Sequence, residues 1–442
     1  MLFGLAQFFD KNAIVNLATT TKFTQRKSKL SALQFLNSLM FIHQQGKGLS
    51  LLDICGDLYD QYGIKIKKQS IQGRFNEKAV RFLKAVLSEL LQYQFKAVDK
   101  DRNLKSFNRV RIKDSTRNSL PAAFANQYKG YGGVTHNSES MISIQYEYDL
   151  LSGNAMDLRL TTGIRNDQLD SKENTHDIAK NDLFIRDLGY VTIGYLKQII
   201  KGEAYFLNRL NPQIKAYHAD NPEKEVDFAK CLKRLKKYNL PFLEYKVLIG
   251  KKAKIPSRLI VHSVDQSTYD KRICKTRKQA KSYGHQVSKA FKTRAKLTLY
   301  ITNAEQDSIP AKEVKKIYGL RWQIELTFKI WKSQAQVHQV KEMKIHRFEC
   351  QLIAKLIWLL IHQKIFKYLT GWVNYCCPAE TASIWKYYKH AYRINNSVRK
   401  ILTIPDKLML HILNLMDMAS QLLLLETKKG KISHYEALNS LD

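Results

Sequence analysis

The stretch LTLYITNAEQDSIPAKEVKKIYGLRWQIELTFKIWKS, residues 297–333, decides the fold of this chain. Its first six residues, 297–302, are mostly apolar, β-branched or aromatic, and such a run predicts a strand. From about Pro310 the apolar residues recur at helical spacing, which predicts one long helix that ends near Val340. A strand that leads into a long helix is typical of α/β folds, and this is the fold class that we expect.

The predicted helix carries four side chains suited to binding phosphate or metal. Tyr318, Arg321, Glu325 and Lys332 are spaced 3, 4 and 7 residues apart. On one continuous helix they would fall on a stripe about 60° wide. A carboxylate beside cations can hold a metal ion, while the cations and the phenol hold phosphate oxygens next to it. An amphipathic helix with intrahelical ion pairs has the same spacing, so the pattern alone leaves both interpretations open.

Short apolar or alternating runs predict further strands upstream, at residues 107–113, 141–150, 155–160, 183–186 and 204–210. Asp114 and Asp187 each come directly after one of these runs. Asp182 is a competing candidate, but we interpret it as a solvated residue that precedes its strand. Two carboxylates at strand ends and Glu325 on a helix can converge at one edge of a sheet, where hard cations such as Mg²⁺ would bind them.

The charge of the chain is strongly positive. Its 442 residues include 73 Lys and Arg against 39 Asp and Glu, a net charge of +34, which indicates a polyanionic partner such as nucleic acid. A membrane surface is the rival partner, but the basic residues are spread along the chain and the most apolar stretch, Leu352–Phe366, is too short and too charged to span a bilayer. The six cysteines lack the spacing of a zinc site, and reduced thiols in the cytoplasm are expected.

The first 103 residues have helical patterns, for instance at Ser31–Phe41 and Leu51–Tyr62. We expect Ser70 to be the N-cap of a long helix that runs to about Gln94. A helix–turn–helix of this kind would place four side chains in a DNA major groove, namely Ser70, Gln72, Arg74 and Asn76. A helical hairpin with a solvated basic face is the alternative interpretation.

Residues 211–296 differ from their surroundings in composition. Short β-like runs, at 242–249 and 258–264, alternate with basic segments. The segment Lys271–Lys296 contains ten Lys or Arg and no acidic residue, and with this net charge we interpret it as a phosphate-contacting surface.

The order Tyr-x2-Arg-x3-Glu-x6-Lys resembles the signature of the insertion-sequence-four group of DDE transposases. Three upstream segments are similar to the strands of that group that carry or flank the two aspartates: RIKDST (111–116), ISIQYEYDLLSGNAMDLRL (142–160) and LFIRDLGY (183–190). The resemblance covers roughly residues 107–210 and 256–365, and it is weaker at both ends.

The resemblance implies an RNase H-like catalytic core that a β-rich insertion interrupts. The regions that we expect are a helical N-terminal DNA-binding domain, the two parts of the core with the insertion between them, and a helical C-terminal region that could serve dimerisation, at 1–103, 104–210, 211–296, 297–370 and 371–442.

The resemblance also implies the chemistry of the site. Asp114, Asp187 and Glu325 would hold two Mg²⁺ ions, for which Mn²⁺ would substitute. The phosphates of the DNA ends would be held by a second set of side chains, Tyr318, Arg321, Lys332 and Arg209.

As a member of that group the protein would be a homodimer in a synaptic complex with double-stranded DNA, in the bacterial cytoplasm at the nucleoid. It would cut DNA at terminal inverted repeats and join the freed 3′-OH to target DNA. Two alternatives remain open, a DNA-binding relic without activity and a nuclease that cuts without joining. All three acidic positions are present, which argues against the relic.

Relatives of this kind can form a hairpin at the transposon end and stack a flipped base on a tryptophan in the insertion. This chain has no tryptophan between Asp187 and Arg321. We therefore hypothesise that a tyrosine of the insertion takes this role, from the set Tyr217, Tyr238, Tyr245, Tyr269 and Tyr283.

Overall fold

The computed structural model describes residues 11–26, 28–42, 49–92, 104, 106–132, 139–173, 177–282, 284–377, 380–403 and 408–424. The chain divides into two compact units. The first contains the described residues of Met1–Lys100, Ser115–Ile164 and Ile324–Tyr435, and the second contains those of Asp101–Asp114 and Arg165–Gln323.

The helices and strands are numbered in chain order over the described residues. The helices are α1 (Lys11–Thr20), α2 (Ala32–Phe41), α3 (Leu51–Tyr62), α4 (Lys68–Arg74), α5 (Glu77–Gln92), α6 (Asp167–Glu173), α7 (Ile193–Lys201), α8 (Phe228–Lys237), α9 (Gln266–Ser282), α10 (Lys289–Ala295), α11 (Val314–Gly319), α12 (Trp322–Ser333), α13 (Ile345–Cys376), α14 (Ile384–Thr403) and α15 (Leu408–Leu422). The strands are β1 (Arg109–Ser119), β2 (Met141–Asp149), β3 (Ala155–Thr162), β4 (Asp182–Arg186), β5 (Tyr205–Arg209), β6 (Ala216–His218), β7 (Leu243–Ile249), β8 (Ile255–Ser263) and β9 (Leu297–Thr302).

The strands have the order β3-β2-β1-β4-β5-β9-β8-β7-β6. Strands β2 and β3 form an antiparallel hairpin, whereas β4 is parallel to both β1 and β5. An antiparallel hairpin beside three parallel strands in the order 3-2-1-4-5 is the RNase H-like arrangement, so the structure confirms the predicted fold class.

Strands β4 and β5 of the second unit are mostly apolar because both of their faces are covered. All five residues of β4 are buried, and Phe184 at its centre joins a hydrophobic core with Phe206 of β5. Helix α7 contributes Leu196 and Ile199 to the same core, and both are fully buried. A continuous apolar strand at the centre of the sheet is what the run at 183–186 predicted.

The stretch 211–296 extends this sheet. Strand β9 pairs antiparallel with β5 on one side and with β8 on the other, and β7 and β6 follow. The predicted β-like runs at 242–249 and 258–264 correspond to β7 and β8. The same stretch also contains helices α8, α9 and α10, and the basic segment falls mostly on α9 and α10.

In the first unit the N-terminal helices pack against α13, a helix of 32 residues. Helices α2 and α5 both contact it, and α5 buries Phe82, Val86 and Leu90. Helix α13 also contacts α14 and α15. A buried ion pair links an N-terminal helix of this unit to a C-terminal one. Arg399 of α14 donates to both carboxylate oxygens of Asp57 in α3, at 2.9 and 2.8 Å.

The prediction of a long helix from Ser70 to about Gln94 is wrong. Helix α4 begins at Lys68, ends at Arg74 and is capped by no side chain at Lys67. Helix α5 begins at Glu77, and Asn76 caps it by accepting hydrogen bonds from the backbone N–H groups of residues 78 and 79. Buried apolar residues occur on both sides of this break, for instance Ile71 and Val80, so the apolar period alone does not locate it.

None of the helices in the described part of the chain is long and apolar enough to cross a lipid bilayer.

Candidate active site

Asp114 and Asp187 lie side by side at the point where two parallel strands stop pairing. Asp187 follows β4, whereas Asp114 lies inside β1, which continues to Ser119, so the prediction that Asp114 comes after its strand is wrong. The pairing of β1 with β4 runs from Arg109↔Asp182 to Lys113↔Arg186, and each aspartate is the residue that follows. Neighbouring strands are about 4.8 Å apart, so the register brings the two residues side by side. Both carboxylates remain accessible, with 21% of the Asp114 side chain and 47% of the Asp187 side chain exposed.

The guanidinium of Arg321 lies between these two carboxylates. Its Nη1 is 3.6 Å from Oδ2 of Asp114, and its Nε is 3.9 Å from Oδ1 of Asp187. Charge-assisted hydrogen bonds are usually about 2.7–2.9 Å long. Arg321 therefore balances the charge of the two aspartates through ion pairs that are longer than such hydrogen bonds.

Tyr318 and Arg321 are not on one uninterrupted helix with Glu325, so the prediction of a single helix from Pro310 to Val340 is wrong. Helix α11 ends at Gly319 and α12 begins at Trp322. Between them, backbone bonds of the i→i−3 type tighten the chain, from Arg321 N–H to the Tyr318 carbonyl at 3.1 Å and from Gln323 N–H to the Leu320 carbonyl at 3.0 Å. Gly319 is a poor helix former, which favours a break at this point.

Tyr318 lies beside the aspartates on the second unit. Its hydroxyl donates to the backbone carbonyl of Arg186 at 3.4 Å, and its ring centroid is 5.2 Å from that of Tyr300. Burial, with a smaller contribution from the charge of Asp187, raises the pKa of Tyr318 to about 12. The phenol therefore keeps its proton near neutral pH and can donate a hydrogen bond.

Arg209, which the family resemblance placed near the site, lies next to Tyr318. It is the last residue of β5, and its guanidinium carbon lies 5.4 Å from the centroid of the Tyr318 ring. The structure thus brings together four of the predicted site residues in the second unit, namely Asp114, Asp187, Tyr318 and Arg321, with Arg209 at their edge.

Asp182 is not a solvated residue, and this interpretation was wrong. It is fully buried at the start of β4, where Arg109 donates to both of its oxygens at 2.8 and 2.5 Å. Arg111 lies 3.6 Å away. Asp182 and Asp187 are at opposite ends of β4, about 16 Å apart along a strand. Its two arginine partners give Asp182 a structural role, which favours Asp187 as the residue of the site.

A second ion pair stands directly behind the site, and the sequence did not predict it. Lys113, the residue before Asp114, is 2.7 Å from Asp170 of α6, and both side chains are buried. Because alternate residues of a strand point to opposite faces, Lys113 and Asp114 are directed to different sides of β1. No spacing in the sequence predicts that an aspartate on a helix pairs with a lysine on a strand 57 residues earlier in the chain.

Glu325 and Lys332 lie on α12 in the first unit. Glu325 is half-buried in the first turn of that helix. The Lys332 ammonium donates to the backbone carbonyl of Arg117 at 3.3 Å, and burial lowers the pKa of Lys332. Trp331 holds α12 against β2, since its ring centroid is 4.8 Å from that of the buried Tyr146. The helix that carries Glu325 is therefore anchored by aromatic packing.

Among the described residues, three or more His, Cys, Asp or Glu side chains nowhere lie together as a metal-binding group. The chemistry of the donors nevertheless fits a hard divalent ion. Asp114 and Asp187 offer accessible carboxylate oxygens, and such oxygens are the ligands that Mg²⁺ prefers.

The four N-terminal candidates differ in what they contact. Ser70 is exposed and Gln72 half-buried on α4. Arg74 donates to the Ser28 hydroxyl at 2.5 Å and lies over the ring of Phe23, whereas Asn76 is the cap of α5. Arg74 and Asn76 thus stabilise the helical unit, and Ser70 and Gln72 are better placed for contact with a partner.

The aromatic candidates of the insertion also differ in exposure. Tyr217 is buried, Tyr245 is in contact with Cys231 and Arg234, and Tyr269 is covered by the ammonium of Lys296. Tyr238 is 58% exposed. Tyr283 lies outside the described residues. Trp322 lies outside the insertion and was not among the predicted stacking residues, but it is 56% exposed and directly follows Arg321.

Comparison with known protein families identifies the family of this chain. The family described as "Transposase DDE domain" matches residues 105–361, which include every strand and the three carboxylates. The chain belongs to the DDE transposase family. It is therefore an enzyme of the class that the signature predicted, and DNA is the substrate of that class.

Named relatives agree with this family. The chain is 32% identical over 373 residues to the transposase for insertion sequence element IS231F of Bacillus thuringiensis subsp. israelensis, covering 81% of this chain and 78% of the relative. It is 30% identical to the transposase for insertion sequence element IS1151 of Clostridium perfringens, covering 82% and 79%. A cryo-EM structure of the piggyBac transposase synaptic complex with hairpin DNA aligns with 98% of this transposase and 87% of that chain, at 10% identity and a TM-score of 0.45.

Proposed function

We propose that this transposase binds the terminal inverted repeats of an insertion sequence, cleaves the phosphodiester bonds at those ends and joins the freed 3′-OH to target DNA. The observation that carries the proposal is the pair Asp114 and Asp187, side by side where the pairing of β1 with β4 ends, with Arg321 between them. Paired carboxylates with a neighbouring cation suit a reaction that moves charge between phosphate oxygens.

Asp114, Asp187 and Glu325 would hold the divalent ions, two Mg²⁺ that Mn²⁺ can replace. When bound, the ions supply a Lewis acid that activates the attacking oxygen and stabilises the leaving one. Bringing Glu325 to the two aspartates is part of the proposal, and the position of Glu325 four residues after Arg321 supports it.

The cations and the phenol would hold the phosphates of the DNA end. Tyr318 keeps its proton and would exchange its hydrogen bond to the Arg186 carbonyl for one to a phosphate oxygen, while Arg321 offers two parallel donors. Arg209 beside Tyr318 and Lys332 on α12 would add single charged contacts. These residues would orient the scissile bond and exclude misaligned DNA.

Incubation of the full-length protein with a duplex that ends in the inverted repeat flanking its gene tests this function. We expect Mg²⁺-dependent cuts at the repeat boundary and joined products when target DNA is added. Cuts without joined products would favour the nuclease, and end binding without cuts would favour the inactive relic.

The same denaturing gels report how the second strand is cut. A hairpin-length product would require a stacking aromatic, and exposure favours Tyr238 or Trp322 over the covered tyrosines. If no such product forms with either metal, the second strand is cut by another route and the stacking hypothesis falls.

End recognition would come from the N-terminal helices, with Ser70 and Gln72 as the side chains placed to read bases. A homodimer would follow from the C-terminal helices. Helix α15 buries Ile412, Leu415 and Ala419, yet its other side leaves large apolar residues exposed, namely Met409, Leu410 and Leu413. An exposed apolar stripe of this kind is typical of a surface that a second copy covers.

Helix α9 would bind the DNA backbone without reading sequence. Arg272 anchors it by donating to the carbonyls of Ala295 and Leu297 at 3.1 and 2.8 Å, and Ile273 is its buried contact with the unit. The opposite side of the helix exposes lysines at helical spacing, Lys271, Lys275 and Lys278. Such a stripe suits a row of phosphates.

Removing two of these lysines should change the salt dependence of DNA binding. For Lys275→Gln/Lys278→Gln we expect the slope of log K against log salt to shrink by about 2, since each phosphate contact contributes about 0.9. Titrations of a random-sequence duplex at several salt concentrations measure it. The matched variant Lys180→Gln/Lys215→Gln removes two exposed lysines that pair with Glu203 and Glu225, and its slope should stay unchanged. Equal slopes in both variants would contradict the assignment.

A further inference from the structure

Arg321 and a divalent ion compete for the same carboxylate oxygens. The guanidinium is 3.6 Å from Oδ2 of Asp114 and 3.9 Å from Oδ1 of Asp187, so its charge lies between the two carboxylates. A metal ion that used these oxygens would sit close to a fixed positive charge, and like charges at such distances repel strongly where solvent is scarce. The Arg321 side chain is 15% exposed, so water screens this repulsion only in part.

The two ion pairs are also long for charged groups. Nη1 is 3.6 Å from Asp114 and Nε is 3.9 Å from Asp187, whereas a charge-assisted hydrogen bond is about 2.7–2.9 Å long. A phosphodiester, in contrast, offers the guanidinium fork two oxygens at bidentate distance. A DNA phosphate therefore competes favourably for Arg321.

We propose that Arg321 couples the two ligands: in the free protein it occupies the two aspartates and weakens metal binding, and a DNA phosphate draws it away and strengthens metal binding. The inference rests on the proposed function, because it takes Asp114 and Asp187 as metal ligands. It makes Arg321 a positioning residue as well as a phosphate contact. Such a device keeps the metal-dependent site weak until a DNA end is in place.

Linkage makes the coupling reciprocal. If the DNA end raises the affinity for the metal by some factor, then the metal must raise the affinity for the DNA end by the same factor. Couplings of this kind are commonly about 5- to 150-fold, and breaking two loose ion pairs suggests about tenfold.

Binding of Mn²⁺, followed by the EPR signal of the free ion, tests the proposal without any turnover. Without DNA, we expect Arg321→Gln to bind Mn²⁺ about tenfold more tightly than the wild type. An inverted-repeat duplex should raise the Mn²⁺ affinity of the wild type about tenfold and that of Arg321→Gln very little. The measured binding is corrected for the Mn²⁺ that the duplex binds by itself. The affinity of the wild type for the duplex should rise by a similar factor with Mn²⁺.

Three further variants separate the possible outcomes. Arg209→Gln removes a nearby charge that is not placed between the aspartates, so its effect on Mn²⁺ binding should be small. If Arg209→Gln raised the Mn²⁺ affinity as much as Arg321→Gln does, the effect would come from net charge alone and the proposal would be overturned. Arg321→Lys keeps the charge but loses the fork, and should lie between the wild type and Arg321→Gln. It also serves as the test if the glutamine variant does not fold.

Asp187→Asn distinguishes failure of the inference from failure of the proposed function. If the wild type with the end duplex binds no more Mn²⁺ than Asp187→Asn does, Asp187 is not a metal ligand and the proposed function falls. If Asp187→Asn does weaken Mn²⁺ binding, but the wild type and both Arg321 variants have the same Mn²⁺ affinity without DNA, only the coupling is overturned.

Discussion

Replacing Asp187 by asparagine is expected to lower cleavage of the inverted-repeat end by at least about a thousandfold, because it removes one of the charges that would hold the metal ions. Asp114→Asn and Glu325→Gln should have the same effect. DNA binding should survive in all three variants, since it depends on the basic surfaces. Cleavage assays of the end duplex and gel shifts under the same salt conditions measure both quantities.

Asp182→Asn is the matched control for this series. Asp182 is five residues away on the same strand, but it is buried against Arg109 and Arg111. Its replacement should lower the melting temperature because Arg109 loses its charged hydrogen-bond acceptor, although both arginines keep the carboxylate of Asp177 nearby. Protein that remains folded should still cleave. Normal cleavage by Asp187→Asn together with lost cleavage by folded Asp182→Asn would reverse the assignment of the second aspartate.

Asp57→Ala is expected to destabilise the first unit by about 3–5 kcal/mol, because Arg399 would then be buried without its partner. The Arg399 side chain is 6% exposed and its guanidinium also donates to the carbonyl of Asn37 at 3.2 Å. Thermal unfolding followed by circular dichroism measures the loss.

The double variant Asp57→Ala/Arg399→Met is the control for that prediction. It removes both charges, so it should be more stable than Asp57→Ala alone. If it were no more stable, the loss would come from packing around α3 and not from the orphaned guanidinium. The exposed pair Lys180 and Glu203 offers a comparison, since removing either partner there should change stability very little.

This packing also affects how the N-terminal domain can be studied. Helices α2 and α5 cover α13, whose residues Ile353, Ile357 and Leu360 are buried. A fragment that starts near residue 105 would expose that apolar surface. End recognition is therefore better tested in the full chain, by substituting the exposed Ser70 and the half-buried Gln72.

Most of the strands could be predicted because a short run of apolar or alternating side chains is enough to indicate a strand. The run 297–302 coincides with β9, and the runs at 141–150 and 155–160 match β2 and β3 to within two residues. The position of Asp187 at the end of β4 followed from the same evidence. In these places the period of the side chains and the burial of the strand agree.

What could not be predicted depends on partners far away in sequence. Asp182 looked solvated because nothing nearby in the sequence neutralises it, yet Arg109 and Arg111 do so from the neighbouring strand. The pairing of Lys113 with Asp170 is of the same kind. The break between α11 and α12 was missed for a different reason, since a tight i→i−3 turn leaves the apolar period almost unchanged.

The pairing of β5 with β9 has a consequence for how the protein is made. Leu207 pairs with Thr302, so the core sheet of the second unit closes only after the whole stretch 211–296 has been synthesised. Contacts between segments so distant in the chain form slowly. At translation rates of about 5–20 residues per second, a nascent chain carries Asp114 and Asp187 for roughly 7–28 seconds before Glu325 is added. If all three carboxylates hold the metal ions, as proposed, a nascent chain cannot cut DNA during that interval.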